Sequence, residues 1–398
     1  MTRQMQEAYI VAATRTPVGK APRGAFRHTR PDSMLAHVLK SVLAQVPQIE
    51  PGRVEDVIVG CAMPEYEQGM NVARIGLLLA GLPNSIAGMT VNRFCSSGLN
   101  AVSIAADRIR TGEADIMIAA GTESMSMIPM LGRLAINAEV FTRDENLGIA
   151  YGMGLTAEKV ATGWKVSREE QDAFALASHQ KALAAQAGGE FTAEISPYPI
   201  ANDLPDIASG KIVASRRNID RDEGPRADTS PEGLAKLRPV FAAKGSVTAG
   251  NSSQMSDGAG ASVLVSERVL KELGLAPLAR WVGYAVAGVA PEVMGVGPIA
   301  AIPKVLQRTG IALEQIEWIE LNEAFAAQSL AVIKELGIDP AKVNPLGGAI
   351  ALGHPLGATG AVRTATIVHG LRRRRRKYGM VSMCVGTGMG AAGIFEAV

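Results

Sequence analysis

The sequence predicts an α/β protein made of two related halves, packed about a pseudo-twofold axis, with a loop-rich segment inserted between them. Three observations carry this expectation. Short apolar runs alternate with helix-patterned stretches, the rhythm of a sheet covered on both faces. The C-terminal third repeats the order of elements in the N-terminal third. Between the two, from roughly 119 to 246, the texture turns polar and rich in proline.

Taken in order, DVIVG (56–60) is a short apolar run ahead of the helix-like NVARIGLLLAGL (71–82). VNRFCSSGLNAVSIAADRIRTG (91–112) starts as a strand and turns into a helix, and ADIMIAAG, within 114–125, reads as a strand buried on both faces. The inserted segment holds one strong helix, with Ser167 as N-cap, Glu170 three residues on, and QDAFALASHQKALAAQAGG stopping at glycine. The long proline-punctuated stretch after it exceeds what a compact domain tolerates as plain loop, so the segment reads as a functional cover. GSVTAGNSSQMSDGAGASVLVSE (245–267) then returns to strand and helix texture. In the C-terminal third, IEWIELNEAF (316–325), AQSLAVIKELG, VNPLGGAIALGHPLGATGAVRTATIVHGL (343–371) and YGMVSMCVGTGMGAAGIFEAV (378–398) repeat the scheme. Val91-Asn92 matches Val343-Asn344, each opening a glycine-containing turn into a long helix, and DIMIAAGTESM matches GMVSMCVGTGM, each a strand ending in a Gly-Thr loop. The expected division is 1–118 with 247–270 as the N-terminal half, 119–246 as the cover, and 271–398 as the C-terminal half. A site between the halves would receive loops from both.

Composition narrows the chemistry. At 398 residues the chain is large enough for two or three domains to bury full cores without a disulfide or metal staple. Cys61, Cys95 and Cys384 form no CxxC, and the five histidines supply no HExxH or HxxxH pair, so no metal site is expected. The odd thiol count fits a reducing compartment. Forty Lys and Arg against 38 Asp and Glu, with 4% aromatics, offer neither a basic stripe nor a stacking platform for nucleic acid. RRRRRK (372–377) reads as a solvated helix end. The apolar stretch in MTRQMQEAYIVAA is too short for a signal sequence, and no apolar run approaches the ~20 residues of a membrane span. The expectation is a cytoplasmic protein.

Cys95 has two readings. It is a small buried hydrophobe, or it is a thiol at the first turn of a helix, where the dipole and unpaired backbone N–H groups would lower its pKa from about 8.5. A thiolate nucleophile needs a histidine to take its proton. His354, in the glycine-rich GGAIALGHPLGATG (347–360), is the candidate, because the backbone can approach a ligand closely there; the alternative is a structural histidine. His28, His37, His179 and His369 have ordinary surface or helix contexts. Cys384 precedes GMGAAG (388–393), which satisfies GxGxxG, but only five residues follow, so no crossover helix or acidic ribose ligand can exist. Asn322 ends the strand IEWIEL, where its amide could donate to a developing oxyanion or cap the next helix.

VNRFCSSG, NEAFAAQ, GGAIALGHPLGATG and CVGTGMG, in that order, closely resemble the motifs of the thiolase family of acetyl-CoA acyltransferases. The likeness runs from IVAATRTPVGKAPRGAF to the last strand. It implies a layered αβαβα fold with an inserted loop domain, and a Cys/His/Cys site. Cys95 would carry the acyl group, His354 would activate it, and Cys384 would exchange a proton with the α-carbon of acetyl-CoA. One oxyanion pocket would be His354 with a water held on Asn322; the other would use the backbone N–H groups of Cys95 and Gly386. Coenzyme A, a substrate and not a tightly bound cofactor, would meet Arg226, Ser253 and Met153, with Phe325 beside the pantetheine tunnel. The resemblance also implies a homodimer or homotetramer. Gly152 departs from the YHMG context of members that prefer acetoacetyl-CoA, and CSSG looks more like the degradative 3-ketoacyl-CoA thiolases. Thiolytic cleavage of 3-ketoacyl-CoA in fatty-acid β-oxidation is therefore expected. The rivals are a biosynthetic acetoacetyl-CoA thiolase and a non-catalytic acyl-CoA carrier.

Overall fold

A computed structural model describes residues 5–130 and 136–398, side chains 202–204 excepted. The N-terminal half runs through β1 (Ala8–Arg15), the short β2 (Gly19–Lys20), α1 (Pro31–Ala44), β3 (Asp56–Gly60), α2 (Val72–Leu79), β4 (Ala87–Val91), α3 (Ser97–Arg110) and β5 (Ile116–Ser124). The insertion carries α4 (Met153–Gly163), α5 (Arg168–Ala187), β6 (Tyr198–Asp206), β7 (Lys211–Ile219) and α6 (Pro231–Ala235), after which β8 (Ser256–Ser266) and α7 (Glu267–Glu272) return to the first half. The C-terminal half comprises β9 (Ala279–Gly288), α8 (Gly297–Thr309), β10 (Ile316–Leu321), α9 (Ala326–Leu336), the single turn α10 (Ala349–Leu352), α11 (Leu356–Arg373), β11 (Tyr378–Val385) and β12 (Met389–Glu396).

The main strands follow the order β10-β11-β12-β9-β1-β8-β5-β3-β4. Each half has the same internal plan. In the first, β3 lies parallel to β5, and β8 and β1 follow antiparallel; in the second, β10 lies parallel to β11, and β12 and β9 follow antiparallel. Where β4 pairs with β3, the second half has only a parallel bridge from Val343 to Ile319, so the matched Val91 and Val343 occupy equivalent places. The halves join along β1 and β9 through just two residue pairs, Tyr9 with Arg280 and Ile10 with Ala279.

Apolar burial divides into layers. Leu35, Leu39 and Leu77 of α1 and α2 cover Val57, Val59 and Val263 on the outer face of the first half. Ile302, Val305 and Val332 of α8 and α9 cover Ile319, Met380 and Ile394 on the outer face of the second. Between the two half-sheets lie α3 and α11, with Leu99, Val102, Ile367 and Leu371 packed among Ile58, Trp281, Met383 and Phe395. This is the αβαβα layering, and burial on both faces explains why β5 reads as an unbroken apolar run. The two central helices cross at their first turns. A Cβ on Gly98 would fall 2.6 Å from the Ala361 amide nitrogen, and one on Gly360 would fall 2.0 Å from that of Leu99. Glycine there lets the backbones touch, and the residues just before each helix are drawn together.

The insertion differs from expectation in three places. The boundary between 118 and 119 falls inside β5, whose last residues, AAGTES, continue the buried strand. The stretch after α5 is not all loop, because β6 and β7 form an antiparallel ribbon from Tyr198–Ile219 to Asp206–Lys211. Exposure along β7 left no apolar alternation to read, and Pro199 and Pro205 argued against a strand. Met153–Gly163 is an additional helix. By contrast, α5 starts as expected: Ser167 Oγ accepts from the Glu170 N–H at 3.2 Å, and the Glu170 carboxylate accepts from the Ser167 N–H at 2.8 Å. A buried ion cluster fastens the insertion to the body, with Arg15 of β1 forked onto Asp222 and paired with Glu194 at 2.7 Å.

Candidate active site

Cys95 sits in a single 3-10 turn, Phe94–Ser96, between β4 and α3. Polar neighbours shape that turn. The Phe94 N–H donates to Asn92 Oδ1 at 2.8 Å, the Arg93 N–H to Ser97 Oγ at 2.8 Å, and the Ser97 hydroxyl to the Phe94 carbonyl at 2.6 Å. The helix proper begins only at Ser97, and Cys95 is just 8% exposed. The expected acidic thiol is therefore not found. Burial pushes the Cys95 thiol up to about 12, against the stabilising N–H groups of Gly386 and of Cys95 itself, and the nearby Glu123 carboxylate adds to the rise. Desolvation by the central layer outweighs the helix start.

His354 precedes α11 as Cys95 precedes α3. Its N–H donates to Ser256 Oγ at 3.1 Å and to the Gln254 carbonyl at 3.2 Å, and Nδ1 lies 2.6 Å from Thr359 Oγ1. The Thr359 hydroxyl has the Pro355 carbonyl as acceptor at 3.1 Å, so the hydrogen-bond network assigns the imidazole proton to Nδ1 and leaves Nε2 with its lone pair. Asn322 Nδ2, at the end of β10, lies 3.3 Å from Nε2. Burial, reinforced by the Arg363 guanidinium, lowers the imidazole to about 3, so the ring is neutral and basic only toward a proton delivered inside the site.

Cys384 is the penultimate residue of β11, wholly buried among Phe325, Met294, Ala324, Val247 and Ala157. Burial raises its thiol strongly, and the Cys95 sulfur raises it further. The chain turns back after Val385 through Thr387 and Gly388, both at positive φ (66° and 91°), and this aims the Gly386 N–H at the Cys95 sulfur. The structure thus places the Gly386 N–H at the Cys95 sulfur and Asn322 Nδ2 at His354 Nε2.

Three of the four residues expected at coenzyme A lie in or beside the apolar cluster around Cys384. Met153 and Phe325 pack in its cluster, and the Ser253 N–H donates to the Ala324 carbonyl at 2.9 Å, beside the bridge from Ser252 to Phe325. Arg226 stands apart on the outer surface, its guanidinium 58% exposed and forked onto Asp228, while its backbone N–H is held by His179 Nδ1 at 3.2 Å. Gly152 caps the start of α4, and a Cβ there would meet nothing within 4 Å.

Sequence reasoning missed four participants. Thr359 orients the imidazole. Phe241 meets Phe325 edge-on, with ring centroids 6.1 Å apart, and occupies the space that a side chain at Gly154 would fill. Glu323 accepts from Ser178 Oγ, Asn344 Nδ2 and the Ile350 N–H, holding one end of the histidine loop. Glu123 holds the other end through the Gly357 N–H at 2.8 Å. The only signal for the two glutamates was an acidic residue at the end of a buried strand, in GTES and NEAF.

Two like halves in an αβαβα stack, one with a thiol and the other with an imidazole just ahead of its central helix, define a layered acyltransferase class. Residues 8–268 match the family model "Thiolase, N-terminal domain", and residues 275–397 match "Thiolase, C-terminal domain". A 3-ketoacyl-CoA thiolase of Bacillus subtilis is 48% identical across 98% of this chain and 100% of its own, and the peroxisomal 3-ketoacyl-CoA thiolase A of Mus musculus is 47% identical across 98% and 91%. The crystal structure of the Bacillus anthracis acetyl-CoA acetyltransferase superposes with a TM-score of 0.90 at 40% identity, covering 100% of both chains. The chain belongs to the thiolase family.

Proposed function

We propose that this protein cleaves 3-ketoacyl-CoA with coenzyme A, yielding acetyl-CoA and an acyl-CoA shortened by two carbons, the thiolytic step of fatty-acid β-oxidation. The observations that support the mechanism are a buried thiol met by the Gly386 N–H, a neutral imidazole whose Nε2 lone pair faces the Asn322 amide, and a second buried thiol. Nε2 of His354 takes the Cys95 proton as sulfur attacks the ketone. The resulting alkoxide lies toward the N–H groups of Cys95 and Gly386. Breaking the bond between the α- and β-carbons leaves the acyl group on Cys95 and an acetyl-CoA enolate, whose oxygen meets protonated His354 with Asn322 and whose carbon takes the Cys384 proton. Free coenzyme A, deprotonated by the Cys384 thiolate, then attacks the thioester and restores Cys95. Two successive anions call for two pockets, each donor worth about 3–4 kcal/mol, and two proton acceptors with separate duties.

The names of the relatives at 47–48% identity and the open space at Gly152 both favour longer 3-ketoacyl chains over acetoacetyl-CoA alone. The segment between β5 and β8 would form the cover over coenzyme A, with Arg226 reaching the outer end of that substrate. No helix among the described residues is long and apolar enough to cross a membrane. A cytoplasmic location and a homodimeric or homotetrameric assembly, without nucleic-acid partners, complete the proposal, and sedimentation tests the assembly. The central test is incubation with 3-ketodecanoyl-CoA in the absence of free coenzyme A. Mass spectrometry should find an octanoyl group on Cys95; a Cys95 acylated only by acetoacetyl-CoA would favour the biosynthetic thiolase, and one modified by neither substrate would favour the carrier reading.

A further inference from the structure

Glu123 is 1% exposed, and its carboxylate receives four N–H donors. Oε2 accepts from Ala62 N–H at 2.7 Å and Gly357 N–H at 2.8 Å; Oε1 accepts from Met63 N–H at 3.3 Å and from the Gln68 side-chain amide. All four partners donate, which leaves no acceptor for a carboxyl proton; burial raises the carboxyl, and the four amide donors oppose that rise and favour the anion. No lysine, arginine or histidine pairs with it among the described residues. Gln68, itself fully buried, is locked in turn by the Met63 carbonyl at 2.8 Å and the Ser124 N–H at 3.1 Å.

The segments joined here are those that carry the reacting groups. Ala62 and Met63 leave β3, whose end supports the Cys95 turn: the Cys61 N–H donates to the Val91 carbonyl at 3.1 Å, and a Cβ on Gly60 would fall 2.3 Å from the Gly98 amide nitrogen. Gly357 opens α11 three residues after His354, and a Cβ there would fall 2.7 Å from Glu123 Oε2. We propose that Glu123 is a positioning residue for the thiolase reaction: its carboxylate ties the exit of β3 to the start of α11 and so sets the spacing of Cys95 and His354. The inference rests on the proposed roles of those two residues. A second consequence concerns charge. The titratable and charged groups around the Cys95 turn are Glu123 on β5, Cys384 on β11, His354 before α11, Tyr284 on β9 with Arg93 on the turn itself, and Cys61 beyond β3. Arg363 faces His354 from α11. Burial chiefly, and the Glu123 anion in addition, disfavour thiolate at Cys95, so the thiol stays protonated until the imidazole takes its proton.

The test compares Glu123→Gln with Glu123→Asp, each checked for folding by circular dichroism and thermal melting. Glu123→Gln should lower kcat about 100-fold with KM little changed, and should move the pH midpoint for iodoacetamide alkylation of Cys95 downward. Glu123→Asp keeps the charge and loses reach, so its kcat should fall while the alkylation midpoint stays with the wild type. Wild-type kcat and an unshifted midpoint in a folded Gln variant overturn the inference. Should that variant not fold, wild-type kcat in the Asp variant overturns it equally. Alkylation that inactivates the wild type at a site other than Cys95 overturns the underlying mechanism together with the inference, whereas labelling at Cys95 with indifferent Glu123 variants overturns the inference alone.

Discussion

His354 Nδ1 lies 2.6 Å from Oγ1 of Thr359, which sits in the first turn of the helix that follows the histidine. The hydroxyl passes the interaction on to the Pro355 carbonyl, so one residue fixes both the tautomer and the plane of the catalytic ring. Thr359→Val keeps the shape and removes the oxygen. It should lower kcat between about 10- and 100-fold, short of the 10²–10⁴ of a whole general base. KM should hold, and stability should drop by about 1–3 kcal/mol because a buried N–H is left unpaired. Steady-state kinetics and thermal melts check both, and an unchanged kcat would remove Thr359 from the mechanism.

The two thiols should separate cleanly by function. Cys384→Ala removes the proton donor for the enolate and leaves Cys95, His354 and the Gly386 N–H in place. Deuterium wash-in at the α-carbon of acetyl-CoA should fall by at least about 100-fold, while acetylation of Cys95 by acetyl-CoA survives. In Cys95→Ser the acyl-enzyme itself should vanish. Persistent wash-in in the Cys384 variant would reassign the acid/base.

Two buried groups make opposite contributions to stability against pH. His354 is depressed from 6.5 to about 3 on folding, so the unfolded chain binds the extra proton between those values and the stability contribution is lost as pH falls from 6.5. Glu320, buried beside Arg363 and accepting from Trp318 Nε1 at 2.7 Å, is raised to about 7 by burial, so the folded chain binds the extra proton and stability falls as pH rises from about 4.5 to 7. Each has a limiting slope of about 1.4 kcal/mol per pH unit. The stability gap between wild type and His354→Gln should therefore widen in favour of the wild type from pH 4 to 6.5, and the gap to Glu320→Gln should move the other way from pH 4.5 to 7. Parallel melting curves across pH would contradict both.

Much of this was legible along the chain because it depends on local pattern. The buried run of β5, the capping box at Ser167 and Glu170, the matched Val91 and Val343, and the cysteine and histidine at paired strand-to-helix turns all follow from residue type and spacing. What escaped depends on partners far apart in sequence. Glu123 meets Gly357 across 234 positions, and Ser178 meets Glu323 across 145; nothing in GTES or NEAF names those partners. The sign of the Cys95 shift escaped for a related reason. A helix start is a local feature, whereas the desolvation that overrides it comes from β11, α11 and the crossing of two distant helices.

Gly152 offers the sharpest test of substrate length. Its backbone, at φ −62° and ψ 149°, suits any residue, and a Cβ there would enter open space, so neither conformation nor packing demands glycine. It adjoins Met153, which packs with Phe325 and Cys384 along the way in. The missing side chain therefore leaves room for substrate. Gly152→His should fold with stability within about 0.5 kcal/mol of the wild type and should fill part of that room. The ratio of kcat/KM for acetoacetyl-CoA to that for 3-ketodecanoyl-CoA should rise by about tenfold or more, because losing burial for even one or two methylenes costs about 1–3 kcal/mol in the transition state. A ratio that does not move would mean that the acyl chain does not pass Gly152.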